Sequence, residues 1–357
     1  MGAAAEPKHI RLVCVGGEED AAPLHVRKWM ETQPLQGLEI TVQFDEDLSS
    51  ALAILEGGDA DLLAISASTW HLCKGAPETL VATALPRRDE NHILVADERL
   101  NFLQPRTVIL SNHKLQRRQL RRYRRDFRVL KPSAFAEEEG YKAPPEGRVA
   151  MQSWMEDLRG TKIIGGYVTE KHIFDIADMK HARMFKLTTD TKKDGCARFL
   201  PSPLHGLTLL ISRKGFPKSL AEKIGDAESL TAWACEQVIL QQIDPELLNR
   251  IGLIVRHRQI ASLLNLAEQE KDLLRSTSLL DSEGDVIDTT SMVEILIEIV
   301  GRTGKRTLLI ERLVDKEDAV THARLLVAEW ENMLEAVTTE HAEDIRLGPA
   351  RPAFLDL

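Results

Sequence analysis

Near the start of the chain three short apolar runs, His9–Val15 (HIRLVCV), Leu38–Phe44 (LEITVQF) and Asp61–Ser66 (DLLAIS), alternate with stretches of helical character. One helix passes through His25–Met30. Another covers Ser49–Leu55 and ends at Gly57-Gly58, a pair suited to the left-handed turn that stops a helix. Strands spaced this way cannot pair as tight hairpins; each needs a crossover, so they run parallel with helices on the sheet faces. The rhythm resumes after Pro105, with strands at Thr107–Leu110 and Phe127–Leu130 around a basic helix over Lys114–Arg125. Lys131–Glu146, rich in Pro, Glu, Gly and Ala, reads as a flexible connection. Gln152–Leu158, Lys162–Val168 and Lys171–Ile176 continue the alternation, and Leu200–Arg213 is a turn running into an apolar strand. From Asp226, a candidate cap, to Leu274 the pattern is helical. The tail reads as a small α/β unit over Ser276–Ile287 and Thr307–Arg312, closed by a long helix from Lys316 to Val337. The expected organisation is a first lobe of residues 1–100 with about 205–225, a second of 101–204, and a C-terminal helical or α+β domain of 226–357.

Charge narrows the function classes. The net charge is −9, yet the window Asn101–Lys131 holds ten Lys/Arg against one acid, Asp126. A single basic stripe on an acidic body points to a local anionic ligand rather than a surface that coats nucleic acid. Aromatic residues make up 5 %, too few for a stacking platform for bases or sugars. The four cysteines, Cys14, Cys73, Cys196 and Cys235, form no Cys-x-x-Cys pair, so neither a disulfide framework nor a zinc site is expected. His71, His92, His113 and His205 stand singly in sequence, and no metal site is expected from them. No apolar run approaches the ~18 residues of a membrane span, and the N-terminus lacks a signal-type pattern. The expected location is the cytoplasm.

Several segments, in order, carry a resemblance. They are Ala60-Asp61-Leu62-Leu63-Ala64 followed by Ser66, Leu80–Val95 (LVATALPRRDENHILV), Thr107–Val129 (TVILSNHKLQRRQLRRYRRDFRV), Leu200–Arg213, and the strand-then-long-helix shape of Gly304–Trp330. Together they resemble the porphobilinogen deaminases (hydroxymethylbilane synthases), transferases of tetrapyrrole biosynthesis that build a chain of pyrroles on a dipyrromethane cofactor held by a cysteine. The resemblance implies an α/β fold. Two periplasmic-binding-protein-like lobes of type II, with mixed parallel sheets, would be joined by a small C-terminal α/β domain.

The departures from that family fall on its chemistry. Where the family carries a lysine and a catalytic aspartate, this chain has Ser68 and Thr69, in Ser66-Ala67-Ser68-Thr69-Trp70-His71. A hydroxyl cannot stabilise a developing cation as a carboxylate does. The first-strand arginine is matched by Val15, and the family's cofactor cysteine falls near Asp244 or Leu247. The resemblance therefore implies lost or altered catalysis, with no catalytic residue assigned and no cofactor expected. The implied ligand site is Ser66, Ser111, Asn112 and His113, with Arg117, Arg118 and Arg121 on the basic helix, since residues three and four apart share a face. Guanidinium forks suit carboxylates and phosphates, so the expected partner is an anionic small molecule such as a polycarboxylate pyrrole. No membrane or nucleic-acid partner is expected. Two alternatives stay open: a non-catalytic two-lobed binder or sensor of an anionic small molecule, and a general solute-binding or transcription-effector domain sharing only the fold.

Overall fold

The computed structural model describes residues 8–17, 19–32, 37–73, 77–179, 181–189, 198–280, 283–286, 291–340 and 352–357. The N-terminal seven residues and Cys196 lie outside the described residues.

The first lobe contains β1 (Lys8–Val15), α1 (Ala21–Thr32), β2 (Leu38–Asp45), α2 (Leu48–Gly57), β3 (Leu62–Ser66), α3 (Ala67–Leu72) and β4 (Thr79–Ala84). The chain then crosses into the second lobe. That lobe contains β5 (Ile93–Ala96), β6 (Val108–Ser111), α4 (Lys114–Tyr123), β7 (Arg128–Leu130) and α5 (Pro132–Glu139), followed by α6 (Arg148–Gly160), β8 (Gly166–Thr169), α7 (Lys171–Ile176) and β9 (Met184–Lys186). It returns to the first lobe as β10 (Thr208–Arg213) and α8 (Lys218–Ile224). The C-terminal part holds α9 (Ala227–Leu240), β11 (Ile251–Arg258), α10 (Ile260–Glu270), α11 (Leu273–Ser278), β12 (Met292–Val300), β13 (Thr307–Asp315) and α12 (Ala319–Thr338).

The two large sheets share one plan. The first runs β2-β1-β3-β10-β4 and the second β7-β6-β8-β5-β9. In each, one strand is antiparallel to its neighbours, and it is the strand that has just arrived from the other lobe: β10 in the first sheet, β5 in the second. This is the type II periplasmic-binding-protein-like arrangement, with two crossovers at residues 85–92 and 187–207 as the covalent links between sheets. The crossing point lies about ten residues before the boundary expected at residue 100, because β5 already pairs in the second sheet. Central strands such as β3, β5 and β8 are buried along almost their whole length, which is why they read as continuous apolar runs.

The third sheet is antiparallel, in the order β11-β12-β13. Strand β12 (MVEILIEIV) alternates. Val293, Ile295, Ile297 and Ile299 join a core with α9, α12 and one face of the first lobe, including Trp330, Leu326 and Leu63. Its other face carries Glu294, Leu296 and Glu298. Two expectations are corrected here. The helical stretch from Asp226 is interrupted by β11, whose run of apolar residues is a sheet core rather than a helix face. The connection over Lys131–Glu146 contains α5, with Pro132 in its first turn, a position where proline's missing N–H costs nothing.

Candidate functional site

A cavity of about 960 Å³ lies between the two lobes, within the size range of small-molecule sites. It sits where such sites arise in α/β sheets, beyond the C-terminal ends of the parallel strands. From the first lobe it takes Asp20 after β1, His25 of α1, and Ser66, Ser68 and Thr69 at the end of β3. The second lobe adds Asn112 and His113 after β6, Lys131 after β7, and Glu170 and His172 after β8. The crossovers supply Arg88 and His92 from one strand, Ser202 and His205 from the other.

Local chemistry explains these placements. Ser66 caps α3, its Oγ accepting the Thr69 amide at 3.2 Å and lying 2.6 Å from the Thr69 hydroxyl. The crossovers touch where the Arg88 amide donates to the Gly206 carbonyl at 3.0 Å. Gly206 has φ +75°, and a Cβ there would lie 2.1 Å from the Arg88 carbonyl, so only glycine lets the two strands approach this closely.

The most concentrated chemistry is a group of imidazoles around one carboxylate. The His92 and His205 rings, one from each crossover, stack with centroids 4.5 Å apart. His113 meets His92 edge-on at 4.7 Å. His113 Nε2 lies 3.5 Å from one Glu170 oxygen, and His172 Nδ1 lies 3.3 Å from the other. Arg148 closes an ion pair on that second oxygen. Burial pushes all four histidines down: His205 to about 4, His92 well below its ordinary value, and His113 and His172 in the same direction. At neutral pH these are uncharged imidazoles. Burial alone would raise Glu170, but its carboxyl is held well below the usual range, by the imidazoles around it when these carry a proton, His205 first, and by Arg148, which bonds it directly.

Of the residues expected at a ligand site, Ser66, Asn112 and His113 line the cavity, as do Ser68 and Thr69, which stand where the deaminase resemblance places its lost catalytic groups. Ser111 does not; it is fully buried behind the site, its Oγ accepting the His113 amide at 3.2 Å. The arginine expectation is corrected outright. Arg117, Arg118 and Arg121 are absent from the cavity wall. Arg117 donates to the carbonyls of Ser111 and Asn112 at 2.8 and 2.9 Å, and Arg118 donates to Val300 O at 2.8 Å. Arg121 donates to the carbonyls of Val129 and Arg302, and Arg122 pairs with buried Glu298 at 2.6 Å. The basic helix is the joint between the second lobe and the third sheet. Its guanidinium groups are spent on backbone carbonyls and one buried acid, which also removes the basis for nucleic-acid binding by this element.

The expectation that the histidines stand alone is corrected too. Sequence reasoning looks for metal-type spacing, whereas His92, His113, Glu170 and His205 come from four separate segments that only the tertiary fold brings together. The one local signal was position: each follows or precedes a buried strand at the end where α/β ligands gather.

No described cysteine lines the cavity, and Cys14 and Cys235 are fully buried, with burial raising both thiols to about 12. Asp244 caps a short turn, its side chain accepting the Glu246 amide. Two α/β lobes joined by two crossovers, with a cavity between them, define a two-lobed α/β protein with an interlobe cleft.

No protein-family model matches the chain, and no curated protein matches it. Among solved structures it is similar to an ABC transporter protein from Parabacteroides distasonis, at 12 % identity and TM-score 0.35 over 91 % of this chain and 94 % of that one. It is also similar to the periplasmic aliphatic sulphonate binding protein SsuA from Escherichia coli, at 12 % identity and TM-score 0.32 over 92 % and 94 %. A third is the ligand-binding component of an ABC-type import system from Staphylococcus aureus, with zinc bound, at 11 % identity and TM-score 0.31 over 91 % and 92 %. The resemblance to the porphobilinogen deaminases is withdrawn. No family model or curated sequence carries it, and the arginine helix on which it leaned faces away from the cavity.

Proposed function

We propose that this chain is a non-catalytic two-lobed binder that encloses a small anionic molecule between its lobes. One observation carries the reading. Arg88, on the first crossover, and Lys131, after β7, both line the interlobe cavity, and neither forms an ion pair among the described residues. The other lysine and arginine on that wall, Lys28 and Arg148, are engaged with Asp175 and Glu170. Two uncommitted cations, with the hydroxyls of Ser66, Ser68 and Thr69 opposite Asn112, form a receptor for a carboxylate, sulfonate or phosphate group. A polycarboxylate pyrrole is one member of that class.

The reading is tested by thermal denaturation against a panel of mono-, di- and polycarboxylates, sulfonates and phosphate esters, with polycarboxylate pyrroles included. A ligand that binds only the folded state raises Tm as its concentration exceeds Kd. At least one anion should raise Tm saturably, and Arg88→Ala should remove the effect. A flat panel, or a shift that survives both Arg88→Ala and Lys131→Ala, refutes the reading.

A further inference from the structure

We propose that His92, His113 and Glu170 form a binding site for a first-row divalent transition ion, with Zn²⁺ the best-matched ion, and with His205 beside it and one coordination position open to the interlobe cavity.

Three side chains offer ligand atoms that all lie within 4.8 Å of one another. In a tetrahedral shell built on bonds of ~2.1 Å, neighbouring ligand atoms sit about 3.4 Å apart. The His113 Nε2–Glu170 Oε1 separation is already 3.5 Å. Closing from at most 4.8 Å to that spacing takes shifts of about an ångström.

The second line of argument is an unmet need. His92 is 2 % exposed, and its Nε2 has no hydrogen-bond partner; the Oε1 of the buried Gln116 beside it has none either. Gln116 Nε2 faces His92 Nδ1 at 3.1 Å. An amide's nitrogen and oxygen are exchanged by a half-turn of its terminal group. With Gln116 turned, its oxygen accepts the His92 Nδ1–H, and His92 Nε2 presents a bare lone pair to the cluster. This is the support that metal-bound histidines characteristically receive from a neighbouring group. Buried polar atoms without partners are uncommon in native folds, and a cation at this point satisfies the ring nitrogen that the protein leaves empty.

The donor chemistry agrees. Arg148 holds the second oxygen of Glu170, which leaves Oε1 for the ion. Two imidazoles and one carboxylate are the donor set of an open zinc site, and imidazole-rich sites of this kind also take Co²⁺ and Ni²⁺.

The inference stands apart from the reading of an organic ligand, because it is tested with no organic ligand present. The full chain, without a histidine tag and stripped with chelator, is titrated with ZnCl₂ by calorimetry and with CoCl₂ by visible absorption. One ion per chain is expected, with a Co²⁺ spectrum of a low-coordinate nitrogen and oxygen site. His113→Ala and Glu170→Gln should each weaken Zn²⁺ binding by about tenfold or more, and Gln116→Ala by about 10–100-fold. His9→Ala, an exposed position on β1 beside Glu39 and outside the cavity wall, should leave it unchanged. His113 is only partly buried, so its variant decides the matter if Glu170→Gln fails to fold. Absence of a one-to-one event in the parent protein, or affinity unaltered in His113→Ala, overturns the proposal.

Discussion

Replacing Arg122 by alanine separates the two accounts of the basic helix. If the helix served the cavity, the variant would fold normally and lose ligand. The structure requires the opposite. Arg122 reaches Glu298 on the third sheet at 2.6 and 3.2 Å, and the Glu298 side chain is 1 % exposed. Arg122 also donates to the Arg198 carbonyl. In Arg122→Ala the carboxylate keeps one donor, Gln119 Nε2 at 2.7 Å, but loses its countercharge in a site closed to water. Removing one partner of a buried ion pair costs about 3–5 kcal/mol. For a chain of this size each kcal/mol moves Tm by roughly 2 °C, so the expected fall is on the order of 6–10 °C in thermal denaturation. The double variant Arg122→Leu/Glu298→Leu should recover most of that loss, since replacing a buried pair by apolar residues of similar volume is often neutral. Ligand affinity, measured on the folded fraction, should change little in either. A fall in Tm below about 2 °C in Arg122→Ala, or a double variant as unstable as the single, refutes the argument that this helix is a structural joint.

Two further expectations follow from the first lobe. His25 is buried and its Nδ1 lies 2.8 Å from the Thr208 hydroxyl; burial pushes it down to about 4. The unfolded chain therefore takes up this proton first as pH falls below ~6.5, and stability present above that pH is lost progressively toward pH 4, by up to about 3 kcal/mol; urea midpoints measured from pH 7 to 4.5 should fall less steeply in His25→Asn, and an identical slope would refute the assignment. Glu19 of the first lobe accepts the backbone amides of Arg148 and Val149 at 2.7 and 3.0 Å, capping α6 of the second lobe across the cavity mouth. Glu19→Ala should favour the open arrangement by about 1 kcal/mol, roughly fivefold in population, visible as a larger radius of gyration in solution scattering; an unchanged scattering profile would show that Glu19 does not latch the lobes.

The parts of the fold legible in the sequence are those where burial on both faces forces a distinctive pattern. HIRLVCV and DLLAIS are read as strands because β1 and β3 sit inside a sheet covered by helices, and the tail helix is read because Leu326, Val327 and Trp330 recur on one face. Short or half-polar strands are lost to the same method. Strand β11 (IGLIVRHR) follows a helix and carries an apolar run whose length fits either structure, so its strand character depends on pairing with β12, whose partner residues lie 34 to 48 positions further along the chain. The site was legible only where it is local, at Ser66–Thr69 and Asn112-His113, each on the turn after a strand. Arginine density suggested the wrong function for α4 because sequence shows charge but not its partners, and Glu298 lies more than 170 residues from Arg122. His92 and His205 themselves lie outside helices and strands, where no periodicity marks them.

The placement of those two histidines bears on how binding and lobe movement are linked. Any relative rotation of the lobes turns about the two crossovers, and the stacked His92 and His205 rings lie on them. The other groups of the cluster, His113 and Glu170, belong to the second lobe, while the hydroxyls of Ser66 and Thr69 face them from the first. A ligand seated on the cluster would touch the second lobe and the crossovers, and only its first-lobe contacts would favour closure. The third sheet restrains the same motion unequally. It shares an apolar core with the first lobe but meets the second through the polar contacts of Arg118, Gln119 and Arg122. Polar contacts of fixed geometry tolerate less sliding than apolar packing, because a displaced buried donor loses its acceptor and gains no water. Opening by rotation of the second lobe would therefore have to break the Arg118, Gln119 and Arg122 contacts or carry the third sheet with it.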